Sequence, residues 1–334
     1  MRGVGGRAFR AGAAGRGVSM MGMRGMVLRD RRWRNSVALA LATALFMAAP
    51  AAAQITVTDD FDRTVTLAAP AQRIVSLAPH NTENLFSAGA GARVVAVVAH
   101  SDYPPAALRI PSIGSHVQFN LEALVALNPD LVVAWESAKN RETMRKIERL
   151  GYAVYYSEPR DFEDIIENIE ELAQLAGSAA DIDPPVAALR AELARLRARY
   201  ADAAPLRVFY QVWNAPLMTL GGGHFISRVL EVCGARNIFA ESKILAPRVS
   251  VEAVVRADPD IIIGSRVHGR ASDDMAFWKK WRSMRAIAGD GIVFVDADVM
   301  HRHTARMIMG IGTVCAEIDR VRRGNGLPSP SPDR

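Results

Sequence analysis

Outside its first 53 residues, this 334-residue sequence lacks an excess of positive charge. The isoelectric point near 9.6 is typical of a nucleic-acid-binding protein. However, residues 1–53 contain nine Arg and one Asp, whereas residues 54–334 contain 32 Lys and Arg against 34 Asp and Glu, a net charge of −2. The basic character therefore belongs to the N-terminal segment, and nucleic-acid binding is excluded for the remainder.

Cysteine is also scarce, since Cys233 and Cys315 are the only two in the sequence. A metal site would require further ligands, so an exported chain with one such pair favours a disulfide. Two buried thiols on neighbouring helices are the alternative. A disulfide would close a loop of 82 residues and would stabilise the fold by about 4 kcal/mol in the chain-entropy description.

Long apolar runs are missing except for the 13 residues from Val37 to Ala49. This run follows an Arg-rich segment and precedes small residues at 51–53, which is the pattern of a secretory signal peptide over residues 1–53. Thirteen residues are too few to span a bilayer comfortably, and no cysteine stands near the expected cut before Gln54 to carry a lipid. We therefore expect export to the periplasm and no membrane span.

Short apolar runs alternate with segments long enough for helices, which predicts an α/β fold with mostly parallel sheets. A polar turn inside residues 55–67 predicts a β-hairpin before them. The apolar runs are residues 73–79, 93–99, 130–135, 152–157, 206–213, 260–264 and 292–297.

Residues 183–203 separate two groups of such runs and predict one long helix. Asp183 suits an N-cap, two prolines suit the first turn, and the apolar residues that follow recur every three or four positions. The chain is also long enough for two cores. We predict an N-terminal lobe over 54–182, a bridging helix over 183–203, a C-terminal lobe over 204–323 and a disordered tail over 324–334.

The segment NLEALVALNPDLVVAW (120–135) recurs in outline as SVEAVVRADPDIIIGS (250–265). Both copies have a capping residue, a glutamate in the first helical turn, an apolar helix and a Pro-Asp turn into a strand. Glu122 and Glu252 thus occupy equivalent positions, as a two-fold partner would require. A glutamate at this position also complements the helix dipole without any partner, and spacing alone favours that simpler interpretation.

Residues 55–322 resemble the substrate-binding proteins that deliver cobalamin, haem and iron siderophores to ABC importers, with the cobalamin-binding members most similar. The motifs that carry the resemblance are SLAPHNTENLFSAG, SDYPPAA, NLEALVALNPDLVVAW, VLEVCGARNIF, RVSVEAV and HRHTARMI followed by Cys315. The resemblance implies two α/β lobes bridged by one helix, with a ligand cleft between them. It also implies a Cys233–Cys315 disulfide.

The same resemblance implies a partner, a dimeric permease with its ATPase, whose arginines receive Glu122 and Glu252. It places Trp135 and Arg302 at the ligand. Further candidate ligand contacts are His100, Tyr103, His116, Phe119, Trp213, Met218 and His301. Aromatic residues of the best-matched relative are replaced by His100, His116, Met218 and Ala246, and the nearby aromatics Phe119, Tyr210 and Trp213 are candidates to compensate. We hypothesise that His100, His116 or His301 contacts the metal or the polar rim of a chelate.

These features predict a monomeric binding protein without a cofactor of its own, whose ligand is a cobalt corrinoid or, alternatively, haem, a ferric siderophore or another metal chelate. An exported enzyme similar to the two-lobed metal chelatases is a remote alternative. Ser76, His80 and Glu83 are close in sequence but show no catalytic signature. The run LGGGHF (220–225) lacks the Lys-Ser/Thr ending of a phosphate loop.

Overall fold

The computed structural model describes residues 54–137, 139–267, 270–271 and 273–330. The predicted signal peptide lies outside these residues, as do the last four residues of the predicted tail. Two mostly parallel sheets and the helices around them confirm the predicted α/β class.

The first half of the chain forms a hairpin and then a parallel sheet. The strands are β1 (Ile55–Thr58), β2 (Thr64–Leu67), β3 (Ile74–Ser76), β4 (Val94–Ala96), β5 (Leu131–Ala134) and β6 (Val154–Tyr156). β1 and β2 pair antiparallel as predicted, and the sheet order is β4-β3-β5-β6. The helices are α1 (Pro79–Ser87), α2 (Leu121–Leu127), α3 (Arg141–Arg149) and α4 (Phe162–Ala176), with 3-10 turns at Gly91–Arg93 and Pro105–Arg109.

A single long helix, α5 (Ala179–Tyr200), leads to the second half. It begins four residues before the predicted start, so Asp183 is inside the helix and is not its N-cap. The prediction placed the prolines in the first turn, but they lie in the second. They lack only the N–H groups that would bond to the carbonyls of Ala180 and Asp181, and both of those residues are exposed to water.

The second half forms another sheet and a small hairpin. Its strands are β7 (Leu206–Tyr210), β8 (Trp213–Asn214), β9 (Leu217–Met218), β10 (Ala235–Asn237), β11 (Ile261–Val267), β12 (Arg270–Ala271) and β13 (Ile292–Asp296). β10, β7, β11 and β13 pair in parallel, β12 is antiparallel to β11, and β8 pairs with β9. The helices are α6 (Phe225–Val232), α7 (Val251–Ala257), α8 (Arg285–Ala288), α9 (Ala297–Met300) and α10 (Ala305–Gly324), with a 3-10 segment at Asp273–Lys280.

One apolar cluster runs through both halves of the described chain. The inner face of α5, with Val186, Leu189, Leu193 and Leu196, packs in the same cluster as residues from both sheets. Each sheet also has a separate cluster on its other face. The two halves therefore do not have wholly independent cores, because the bridging helix presents apolar side chains to both.

The two cysteines are joined in a disulfide between the end of α6 and the middle of α10, with a Cα–Cα distance of 4.7 Å. Both residues are fully buried. The interpretation as two free thiols is therefore wrong, and the pairing implied by the family resemblance is confirmed.

Candidate functional site

The two copies of the repeated segment form the same helix in the structure. The side chain of Asn120 accepts a hydrogen bond from the N–H of Ala123 at the start of α2, and Ser250 does the same for Ala253 at the start of α7. Each helix then ends in a left-handed residue with φ of 43°. Glu122 and Glu252 consequently occupy matching first-turn positions, and both side chains are exposed.

A second matched pair of residues, Arg73 and Arg207, connects each helix to its sheet. Sequence reasoning did not identify this pair. Arg73 precedes β3 and donates to the carbonyl of Leu127, while Arg207 at the start of β7 donates to that of Ala257. The backbone N–H groups of the same two arginines donate to the equivalent carboxylates, those of Asp130 and Asp260. These arginines satisfy helix-end carbonyls and hold each first-turn glutamate on a rigid element.

Trp135 follows the carboxyl end of β5 and lies among histidines. Its ring is 5.4 Å from that of His116, tilted by 32°, and 5.9 Å from that of His80, edge to face. The side-chain amide of the buried Asn140 donates to the carbonyls of both His116 and Trp135, at 2.9 Å each. A flat, partly apolar surface is thereby fixed at the end of the first sheet.

Residues from the second half face this surface. His303 lies 6.4 Å from His80 and stacks on Phe225 at 4.4 Å. Burial lowers the pKa of His80 to about 3 and that of His303 to about 4, so both imidazoles are neutral at neutral pH. His301 shares its Nε2 with the hydroxyls of Tyr210, at 2.8 Å, and Ser265, at 3.4 Å.

Arg302 joins the two halves through ion pairs. Its guanidinium contacts the buried carboxylate of Glu83 at 2.9 Å and that of Asp102 at 2.6 Å. Arg306 also binds Glu83, at 2.6 Å, and lies over the ring of Tyr103 at 4.0 Å. Sequence reasoning placed Arg302 at the ligand but did not identify these acidic partners, which a ligand would have to displace or share.

The other predicted ligand contacts differ in accessibility. Phe119 is only 9% exposed and packs in the core of the first sheet, which leaves little of its ring for a ligand. Trp213 is 60% exposed and pairs with Met218 across the β8–β9 hairpin. Tyr103 and His100 are also exposed, and His100 has a left-handed backbone with φ of 67°.

The residues weighed for an enzyme are not arranged as a catalytic triad. The hydroxyl of Ser76 is 2.8 Å from that of Thr82, and Glu83 is committed to the two arginines. Nε2 of His80 is buried without a hydrogen-bond partner. Within the described ranges, no group of three or more His, Cys, Asp or Glu side chains is arranged to hold a metal ion.

Sequence comparison relates the chain to known binding proteins. The profile of the periplasmic binding protein family matches residues 74–299. A vitamin B12-binding protein of Vibrio cholerae is 36% identical over 247 residues, which cover 74% of this chain and 88% of that protein. The vitamin B12-binding protein of Vibrio campbellii is 34% identical over 255 residues, covering 76% and 92%.

Structural comparison gives the same grouping. The periplasmic vitamin B12 binding protein BtuF of Vibrio cholerae superposes with a TM-score of 0.68 and 34% identity, covering 77% of this chain and 98% of that one. The periplasmic heme-binding protein RhuT from Roseiflexus sp. RS-1 has a TM-score of 0.65 at 23% identity, covering 75% and 99%, and shares the fold. Among the helices that the structure describes, none is long and apolar enough to cross a membrane.

Proposed function

The chain belongs to the periplasmic binding protein family, and on this basis we propose that it captures a cobalamin-type corrinoid in the periplasm for an ABC importer. The observation that carries the proposal is the relation to the Vibrio vitamin B12-binding proteins, which extends over about three quarters of the chain. The protein binds and releases its ligand without chemical conversion. A monomer with its signal peptide removed is the proposed mature form.

The ligand lies between the two halves of the molecule in this proposal. Trp135 supplies a flat aromatic face from the first half, and Arg302 supplies a guanidinium group, shared with Glu83 and Asp102, from the second. Large ligands with apolar faces and a polar rim suit such a site, because aromatic faces bury area while a few polar groups fix orientation. Trp213 and Met218 on their hairpin and Tyr103 near Arg306 are further proposed contacts.

Delivery uses the matched glutamates. Glu122 and Glu252 project from equivalent helix ends whose geometry is held by the same capping and arginine contacts. A permease dimer presents two equivalent surfaces, so two equivalent carboxylates are the expected complement. Their charge would set register and association rate more than raw affinity.

Calorimetry tests the ligand assignment. The chain, exported with its own leader and purified without reductant, is titrated with cyanocobalamin, then with haemin and a ferric siderophore. We expect one-to-one binding of cyanocobalamin, and Trp135→Ala should weaken it tenfold to a hundredfold because a wall of the site is lost.

Phe61→Ala is the matched control, since Phe61 is another partly exposed aromatic of the first half but packs on Tyr156 of β6. It should leave the affinity unchanged. Binding of haemin or the siderophore with no binding of cyanocobalamin would replace the corrinoid by another chelate. Binding of none of the three would contradict the proposed function.

A further inference from the structure

The histidines that the structure describes around the candidate site differ in whether their imidazole nitrogens already have hydrogen-bond partners. His224 caps α6 by accepting from the N–H of Ile226, and His301 is bonded to Tyr210 and Ser265. His303 is stacked on Phe225, and the free Nε2 of His80 is sealed from solvent. One ring nitrogen of His224 and one of His301 are therefore hydrogen-bonded and the free nitrogen of His80 is inaccessible, whereas His303 is half-buried with Phe225 against one ring face.

His100 and His116 lie on two connected loops of the first half. Neither side chain makes a hydrogen bond or ion pair with another residue in the part of the chain that the structure describes, and both have solvent access. His100 is exposed, whereas His116 is half-buried against Trp135. Their imidazole lone pairs are thus available to a ligand.

The backbone holds this pair in place. The N–H of Ala99 bonds to the carbonyl of Gly114 at 2.7 Å, which joins the turn carrying His100 to the loop carrying His116. His100 has a positive φ, a conformation that a non-glycine residue adopts rarely and that often marks a functional site. Asn140 fixes the backbone of His116 and Trp135 together. Burial, and then the nearby charge of His100, lower the pKa of His116, which keeps its ring neutral and able to donate a lone pair.

We propose that His116 donates an imidazole nitrogen to the exchangeable axial position of a planar metal macrocycle bound beside Trp135, with His100 flanking it. Two imidazoles are too few to hold a bare transition-metal ion, for which three or four protein ligands are usual. A metal already held by the four equatorial nitrogens of a macrocycle needs only one. The inference rests on the proposed function for its ligand class, and both corrin and porphyrin complexes satisfy its chemistry.

Visible absorption spectroscopy tests the inference with two corrinoids that differ at the axial position. Aquocobalamin carries an exchangeable water, whereas the cyanide of cyanocobalamin is held firmly. We expect aquocobalamin to bind at least tenfold more tightly and to show the band shift produced when imidazole replaces the water. His116→Phe, which keeps a flat ring beside Trp135 without a nitrogen, should abolish both the band shift and the preference for aquocobalamin over cyanocobalamin.

The other outcomes distinguish failure of the axial-ligand inference from failure of the proposed function. Binding of both corrinoids with equal affinity and no band shift would overturn the inference and leave the proposed function standing. A shift that survives in His116→Phe but disappears in His100→Ala would overturn the assignment to His116. If cyanocobalamin and aquocobalamin both fail to bind while haemin shows a His116-dependent Soret shift, the corrinoid function falls and the axial imidazole is supported for a porphyrin.

Discussion

The two copies of the repeated segment agree in their helices and differ in the strands that follow. At the helix ends, both have the same cap, first-turn glutamate, left-handed terminus and arginine clamp. At the strand ends they diverge. β5 stops at Ala134 and is followed by Trp135, whereas β11 continues to Val267 and carries Ser265 toward His301.

This difference separates two demands on the fold. A symmetric partner needs equal surfaces, and the matched ends of α2 and α7 supply them. An asymmetric ligand needs unequal surfaces. Trp135 after β5 and Ser265 in β11 supply them.

The helix ends themselves differ in one contact. In the second copy, Arg285 binds Asp258 at 3.0 Å and Asp260 at 2.7 Å. Asp260 is only 6% exposed, while its counterpart Asp130 is exposed and accepts from the backbone N–H groups of Gln72 and Arg73. The contacts around Asp260 are therefore more buried than those around Asp130, and they depend more on the carboxylate.

The largest expected effect comes from removing these two carboxylates. Asp260→Ala should lower the free energy of unfolding by about 2 to 3 kcal/mol, because Arg285 and the N–H of Arg207 lose a shared, buried acceptor. Asp130→Ala should lower it by about 1 kcal/mol, since water can replace the exposed carboxylate. Urea unfolding with the disulfide intact measures both. Equal losses of unfolding free energy in the two variants would mean that the contact between Arg285 and Asp260 adds no stability.

A change of pH should affect the stability of the first half through two buried carboxyl groups. In the first half, burial raises the pKa of Asp60 to about 6 and that of Glu171 to about 7. The oxygens of Asp60 accept from the N–H of Glu158 and the amide of Asn168, and Glu171 accepts from the hydroxyl of Tyr155. Since these folded-state pKa values lie above the ordinary values, the folded state holds these protons more tightly than the unfolded chain does.

These two carboxyls should therefore make the protein more stable at pH 5 than at pH 8, and their contribution should be lost as the pH rises through about 6 to 7. Glu171→Gln should reduce the stability difference between the two pH values by about 1 kcal/mol, after allowance for partial exposure. Urea unfolding at both pH values gives the comparison, with Asp62→Asn on the exposed hairpin turn as control. A variant with the wild-type pH dependence would remove Glu171 as a cause.

Local signals explain what the sequence predicted well. The caps Asn120 and Ser250, the apolar helix positions and the Pro-Asp turns act within a few residues, so the helix and strand of each copy were predicted from them. The contacts that join the halves were not predictable in this way. Arg302 and Glu83 are 219 residues apart, and Arg285 and Asp258 are 27 apart. Only the folded chain brings their charges together.

The histidines illustrate the same limit at the candidate site. Their positions on loops were visible in the sequence, but their hydrogen-bond partners were not. His301 was grouped with His100 and His116 because all three lie in segments expected to rim the ligand cleft. In the structure, Tyr210 and Ser265 engage His301, whereas His100 and His116 keep free nitrogens among the described residues.

The smallest expected effect tests the symmetric face. Glu122→Ala and Glu252→Ala should each weaken association with the permease about threefold at low salt, because an exposed carboxylate at a transient interface contributes modestly. The two losses should multiply in the double variant, since the two sites act on separate permease subunits. Binding to permease in proteoliposomes and cellular corrinoid uptake measure the losses, and calorimetry should show unchanged ligand affinity in all three variants.

Glu142→Ala is the matched control, because Glu142 is an exposed first-turn glutamate of α3 that has no counterpart in the repeat. Its removal should leave permease binding unchanged. Raising the ionic strength should shrink the effect of both docking variants together, since screened charges contribute less to encounter and register. A loss confined to one glutamate would instead show that the permease reads one half alone, and the agreement between the two helix ends would then reflect only the shared requirements of folding.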